Sequence, residues 1–141
     1  MEGDVDLIGR VASFFDSPGH ELFRGRGCSL ADIARAQDAL GVLFHEDYKA
    51  FVMTFGGSFV GAPIYGFNNS SLLESSTVVD LTERFRSDRW PGADDAYVIS
   101  FDMAGNPVMV DPSGAVITYD HDSGEMICLS TSFRGFVEDM L

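Results

Sequence analysis

Tyr97 to Leu129 reads YVISFDMAGNPVMVDPSGAVITYDHDSGEMICL, and this stretch decides the fold. Asp102, Asp111 and Asp120 stand nine residues apart, and each opens a turn that Gly105, Gly114 or Gly124 closes. An aspartate side chain accepts a hydrogen bond from the backbone two residues on, and glycine adopts positive φ without a Cβ clash, so each cluster reverses the chain. The intervals leave room for short strands, hence a four-stranded antiparallel meander. Alternation places Ile99, Phe101, Val108, Val110, Ile117, Tyr119, Ile127 and Leu129 on one apolar face. The opposite face mixes Ser100, Thr118 and Cys128 with Met109, Val116 and Met126, and is expected to be partly buried.

Working outward, Thr131 or Ser132 caps a last helix whose stripe of Phe133, Phe136, Val137 and Met140 is the expected lid for the apolar sheet face. Before the meander, Thr77-Val78-Val79-Asp80 is a capping box opening a short helix with Val78, Leu81 and Phe85 inside and Glu83, Arg84 and Arg86 outside. Trp90-Pro91-Gly92 breaks it. Ser29-Leu30-Ala31-Asp32 is a second capping box, with Leu30, Ile33, Gln37 and Leu40 as the inner stripe and Gly41 as the stop. His45-Glu46-Asp47 then opens a helix with acid at its positive end and Tyr48, Phe51, Val52 and Phe55 on one face. Ser58 to Phe67 reads as a strand broken near Pro63, at a sheet edge. Val5 to Phe15 carries a helical stripe, expected as an outlying helix, and Arg24-Gly25-Arg26-Gly27 reads as a mobile loop. The order of elements indicates an α+β domain, with helices packed on one face of the sheet, N-terminal helices and a C-terminal helix.

At 141 residues the chain fits one domain able to bury about two-thirds of its unfolded surface. Twenty-two acidic against nine basic side chains give a formal charge of -13, which disfavours nucleic acid and favours a basic partner. Cys28 and Cys128 lack any C-x-x-C or metal-ligand spacing and are expected to be buried free thiols. The acidic N-terminus is unlike a signal peptide, and no apolar run reaches the length of a membrane span, so a cytoplasmic protein is expected.

Catalytic patterns are weak. His45-Glu46 begins a metalloprotease-like helix, but Lys49 stands where the second histidine belongs, and an ammonium repels a metal. No nucleophile elbow or phosphate-binding glycine loop is present. Asp120-His121-Asp122-Ser123-Gly124 has alternating carboxylates, yet its glycine and distal acid are misplaced for a calcium loop, and a hairpin turn explains it. Gly114 to Asp120 also looks like one unit of a tyrosine-aspartate repeat, but a single copy has no neighbours to bury its faces. No enzyme activity, metal or cofactor is implied. Trp90, beside a proline in a loop, fits a core position or an interface anchor equally.

Taken in order, these motifs resemble the SUKH superfamily, the Smi/Knr-type domain. The resemblance is carried by Leu40-Gly41, the run Asp47-Tyr48-Lys49-Ala50-Phe51-Val52, Gly56-Gly57 and Ile64-Tyr65-Gly66, then by Asp102-x-x-Gly105-Asn106, Val110-Asp111, Gly114-x-Val116 and Tyr119-Asp120-His121-Asp122. It closes on Ser132-Phe133-x-x-Phe136, covers residues 29–141, and leaves 1–28 as an N-terminal helical extension. One departure is Leu43-Phe44, where the family has a leucine-proline pair before the helix. The resemblance implies a bacterial immunity protein that neutralises a polymorphic toxin. An intracellular scaffold or regulatory adaptor using the same domain is the alternative.

In a meander successive turns alternate between the two ends, so the first and third turns share one end. Asp102, Asp120, Asp122 and Glu125 are therefore expected to gather into an acidic surface for a basic toxin, with Trp90, Asp94 and Asp95 of the preceding loop as further contacts.

Overall fold

The computed structural model describes residues 2–141, with side chains from Leu7 onward. Its helices are α1 (Glu2–Asp16), α2 (Leu30–Leu40), α3 (Glu46–Phe55), α4 (Val78–Ser87) and α5 (Phe133–Glu138). Its strands are β1 (Ser58–Phe59), β2 (Pro63–Ile64), β3 (Tyr97–Phe101), β4 (Pro107–Val110), β5 (Val116–Asp120) and β6 (Glu125–Ser130). β3 to β6 form an antiparallel meander in sequence order, and β1 and β2 a separate two-stranded ribbon. The fold is thus α+β, with helices at both termini, as the sequence predicts. The segment read as one broken strand is this ribbon, reversed around Gly61.

All three Asp–Gly turns form. The Gly105 N–H donates to the Asp102 carbonyl at 3.0 Å, Gly114 to Asp111 at 2.9 Å, and Gly124 to Asp120 at 2.8 Å. Each glycine has a positive φ, between 72° and 94°. Both capping boxes close as well, Ser29 with Asp32 and Thr77 with Asp80, and Gly41 ends α2 in the left-handed region.

The core differs from the expected face in parity. Tyr97, Ile99, Val108, Val110 and Val116 join the helical side chains of α1, α3 and α5, whereas Val98 and Met109, with Ile117 at the margin, belong to a second cluster with Leu81 and Phe85 of α4. α1, α3 and α5 thus cover one face of the sheet, and α4 covers the other. The register explains the difference. Val110 pairs with Val116, so Val110 and Ile117 point to opposite faces. Irregularities between Val98 and Ser100, and opposite Val116 and Ile117, put Ile99 and Phe101 on different faces and disturb the alternation of Ile127 and Leu129. A bulge inserts one residue and inverts the facing of everything beyond it.

The expected lid is present, but its anchor is Phe133. That ring is fully buried and meets Tyr48 and Phe51 edge-on at 5.4 and 5.5 Å, while Phe136 is half-buried at the margin. α1 is no outlier, because Leu7, Val11 and Phe15 are buried in the same cluster and Phe15 meets Phe55 at 5.1 Å. Leu30, expected inside, is 70% exposed, and α2 faces inward through Ile33, Ala36 and Leu40.

The Arg-Gly-Arg-Gly segment is a strap held at many points. The N–H groups of Arg26 and Cys28 donate to the carbonyls of Asn68 and Val52, the Phe23 carbonyl accepts from Phe59, and the Gly25 N–H donates to Ser58 Oγ. Its glycines permit close backbone approach. A Cβ on Gly27 would stand 2.1 Å from the Met53 carbonyl oxygen, and one on Gly25 would stand 2.3 Å from that of Asn68.

Two substitutions test this packing by denaturant unfolding. Phe133→Ala is expected to cost about 3–5 kcal/mol and Phe136→Ala clearly less; equal losses would refute the assignment of the anchor. Gly27→Ala is expected to lose stability toward the top of the roughly 1–3 kcal/mol range for overpacking. An unchanged midpoint would mean that the strap is not seated.

Candidate functional site

The meander brings the first and third turns together through Asn106. This asparagine is only 5% exposed. Its amide nitrogen donates to Asp102 Oδ2 at 3.0 Å, while its oxygen accepts from the His121 backbone N–H at 3.1 Å and also meets the His121 Nδ1. Asp102 is consumed within its own turn, its Oδ1 accepting from the N–H groups of Ala104 and Asn106, both at 2.9 Å. Asp120 accepts from the Asp122 N–H at 2.9 Å and pairs across the hairpin with Glu125. The Asp122 side chain is 81% exposed, with Oδ1 3.3 Å from His121 Nε2.

Trp90 occupies the same end. Its half-buried ring stands edge-on to Phe85 at 5.5 Å, to Tyr119 at 6.1 Å and to His121 at 5.8 Å. It packs against the outer core cluster without being fully buried, so the core reading holds in part. Sequence reasoning named Asp102, Asp120, Asp122, Glu125 and Trp90 for this surface, and the structure gathers them. It missed Asn106 as the clasp, His121 as the bridge to Trp90, and Met103, fully exposed at the tip of the first turn. An apolar residue inside the Asp102 to Gly105 turn was the only available signal for Met103.

Asp94 and Asp95 go elsewhere. The chain after α4 crosses the outer face of the sheet with Gly92 against the thioethers of Met126 and Met109. It delivers both aspartates to the far end, into a cleft of about 500 Å³ that also takes in Leu43, His45, Tyr97, Val110 and Asp111. Arg86 sets this path. Expected on the solvent side of α4, it instead donates from Nε to the Ala93 carbonyl at 2.8 Å, from Nη1 to Leu40 at 2.8 Å and from Nη2 to Ala96 at 3.2 Å.

His45 Nε2 lies 3.1 Å from the Pro112 carbonyl, which only accepts, so that nitrogen carries the proton. Tyr97 Oη accepts the His45 backbone N–H at 3.0 Å and lies 2.9 Å from Nδ1. Burial drives the Tyr97 phenol far above its usual range, and the Asp47 carboxylate adds to this against the hydrogen bond from His45. His45 and Tyr97 therefore form a hydrogen-bonded pair that pins the start of α3, where Leu43-Phe44 replaces the leucine-proline pair. Phe44 is buried against Tyr48 and Tyr97.

The cysteines also differ from expectation. Cys128 is exposed on β6, and Cys28 is half-buried. Burial, with the nearby Asp32 charge, pushes the Cys28 thiol up to about 11, against its backbone hydrogen bond.

Partial burial raises the Asp102 carboxyl, but the hydrogen bonds from Asn106, Ala104 and Gly105 together outweigh it and hold it below the usual carboxylate value of 3.8. A depressed folded-state value gives stability that is fully present above the unfolded value and lost as pH falls through the folded one. The stability gap between wild type and Asp102→Ala is therefore expected at neutral pH and should close below pH 3.8. Denaturant midpoints at neutral and acid pH read it, and a gap independent of pH would show that the carboxylate charge is irrelevant.

No curated protein matches this chain. The sequence model of the SMI1 / KNR4 family (SUKH-1) does, over residues 27–139. That match begins inside the strap, takes in both capping boxes, the aromatic face of α3 and the whole meander, and ends at the C-cap of α5. α1 lies outside it, although its side chains share the core. With most of its length and every turn of the meander inside that match, the chain belongs to the SMI1 / KNR4 family (SUKH-1).

Proposed function

We propose that this protein is a bacterial immunity protein that binds a cognate polymorphic toxin and neutralises it by stoichiometric occlusion, without turnover or cofactor. The family supports a protein partner. The observation that carries the choice of a basic one is the end where the first and third turns meet. Asp122 and Glu125 are exposed there beside a half-buried tryptophan, on hairpins locked together by the buried Asn106. Rigid turns lower the ordering cost of association, and the tryptophan supplies contact area within a ring of charge. A formal charge of -13 extends the attraction to long range. A cationic surface such as the substrate groove of a nuclease is the matching shape of charge, and covering it stops the toxin.

The test is protection. Coexpression with a basic toxin domain encoded next to this chain should rescue growth, and the two proteins should purify in equal amounts. Asp122→Lys combined with Glu125→Lys is expected to slow association about tenfold at low salt and to flatten its salt dependence, because steering charges act mainly on the on-rate. Stopped-flow mixing at two ionic strengths reads this. Unchanged rates in a correctly folded double variant would place the contact at another surface, the Asp94 and Asp95 cleft first.

A further inference from the structure

The four-stranded sheet has two edges, and they are treated differently. Along β3 the outer side is occupied, the Tyr65 N–H donating to the Ile99 carbonyl at 2.7 Å. β6 pairs with β5 alone, and among the described residues no segment bonds along its other side. Alternate N–H and C=O groups of an antiparallel strand point away from its neighbour, so β6 presents an open ladder.

Its side chains leave that ladder unprotected. Edge strands are ordinarily blunted by lysine, proline or an inward charge. β6 reads Glu-Met-Ile-Cys-Leu-Ser, with Glu125 its one charge, at the end where the turn begins. Met126, Ile127 and Leu129 are 44%, 39% and 43% exposed, and Cys128 is exposed between them. Apolar side chains therefore flank the open ladder on both faces of the sheet, with Asp122 and Glu125 at one end of it.

We infer that the outer edge of β6 is a strand-addition site that accepts an extended basic segment of a protein partner, extending the meander to a fifth strand. This rests on the proposed immunity role only in the sign of the partner's charge. Main-chain hydrogen bonds to β6 supply affinity. The occupant carries apolar residues on both faces of its strand, covering Ile127 on one face and Met126 and Cys128 on the other, and has lysine or arginine at the end directed at Asp122 and Glu125. Charge selects this occupant over a second copy of the chain, since pairing β6 with itself would press together two molecules of formal charge -13.

The probe is a short synthetic peptide of valine and threonine with lysines at one end, added to the full chain. Amide hydrogen exchange across Glu125 to Ser130 and the rate of Cys128 modification are followed. Both should slow about tenfold on saturation, and the same peptide N-methylated at alternate residues, or with glutamate for lysine, should bind at least about tenfold more weakly. Ile127→Lys, at an exposed position, should keep the wild-type Tm and lose the peptide. Four results would overturn the inference: no binding at millimolar peptide, binding without protection of β6, equal binding of the N-methylated peptide, or a dimer that protects β6 without peptide. The readout is separable from immunity. Peptide capture at β6 by a chain that neutralises no basic toxin sinks the immunity reading and leaves the edge standing. Neutralisation with β6 amides still exchanging freely in the complex does the reverse.

Discussion

Arg86 makes the contact on which the outer half of the molecule depends. Its guanidinium gathers three backbone carbonyls from two separate segments, one at the C-terminal end of α2 and two in the chain leading into β3. A helix end leaves carbonyls unsatisfied, and a loop crossing a sheet face has no ladder of its own, so a fixed fork of charged donors meets both needs at once. Thr82, one turn earlier on α4, completes the arrangement. Its hydroxyl donates to the Val78 carbonyl and accepts the Val98 N–H beside the irregularity in β3. Through these two side chains α4 governs where the sheet begins and how the segment carrying Trp90, Asp94 and Asp95 lies across it.

On the other face stability comes from aromatic packing. Phe44, Tyr48, Phe51, Tyr97 and Phe133 are all buried and meet through a chain of ring contacts between 4.6 and 5.5 Å. Tyr48 also satisfies its hydroxyl at the Tyr65 carbonyl. Such a core ties α3, α5 and the start of β3 into one body.

What was legible in the sequence divides along local and non-local lines. Turn chemistry, capping boxes and the stripe of α3 are decided within a few residues, and all appear as read. Meander parity is nearly local too, which is why Asp102, Asp120, Asp122 and Glu125 could be assigned to one end. Side-chain facing was not legible, because two bulges with no composition signal invert it along β3 and β6. Arg86 reads as a surface residue of an amphipathic helix until its distant carbonyls are known. The strap misleads for a related reason: Gly25 and Gly27 look like flexibility, whereas backbones distant in sequence require them. The position of Asp94 and Asp95 at the far end was not legible either, because the course of their loop depends on Arg86 and on Gly92 passing over two methionines.

Trp90 is the only tryptophan in the chain, and its ring lies against His121 where the first and third turns join. The near-ultraviolet emission of this protein therefore originates almost wholly from one end of the sheet. A contact made at the acidic tip would shift that emission directly, whereas an event confined to the far cleft would leave it unchanged. The protein thus carries a built-in optical reporter at the end of the sheet where its first and third turns meet.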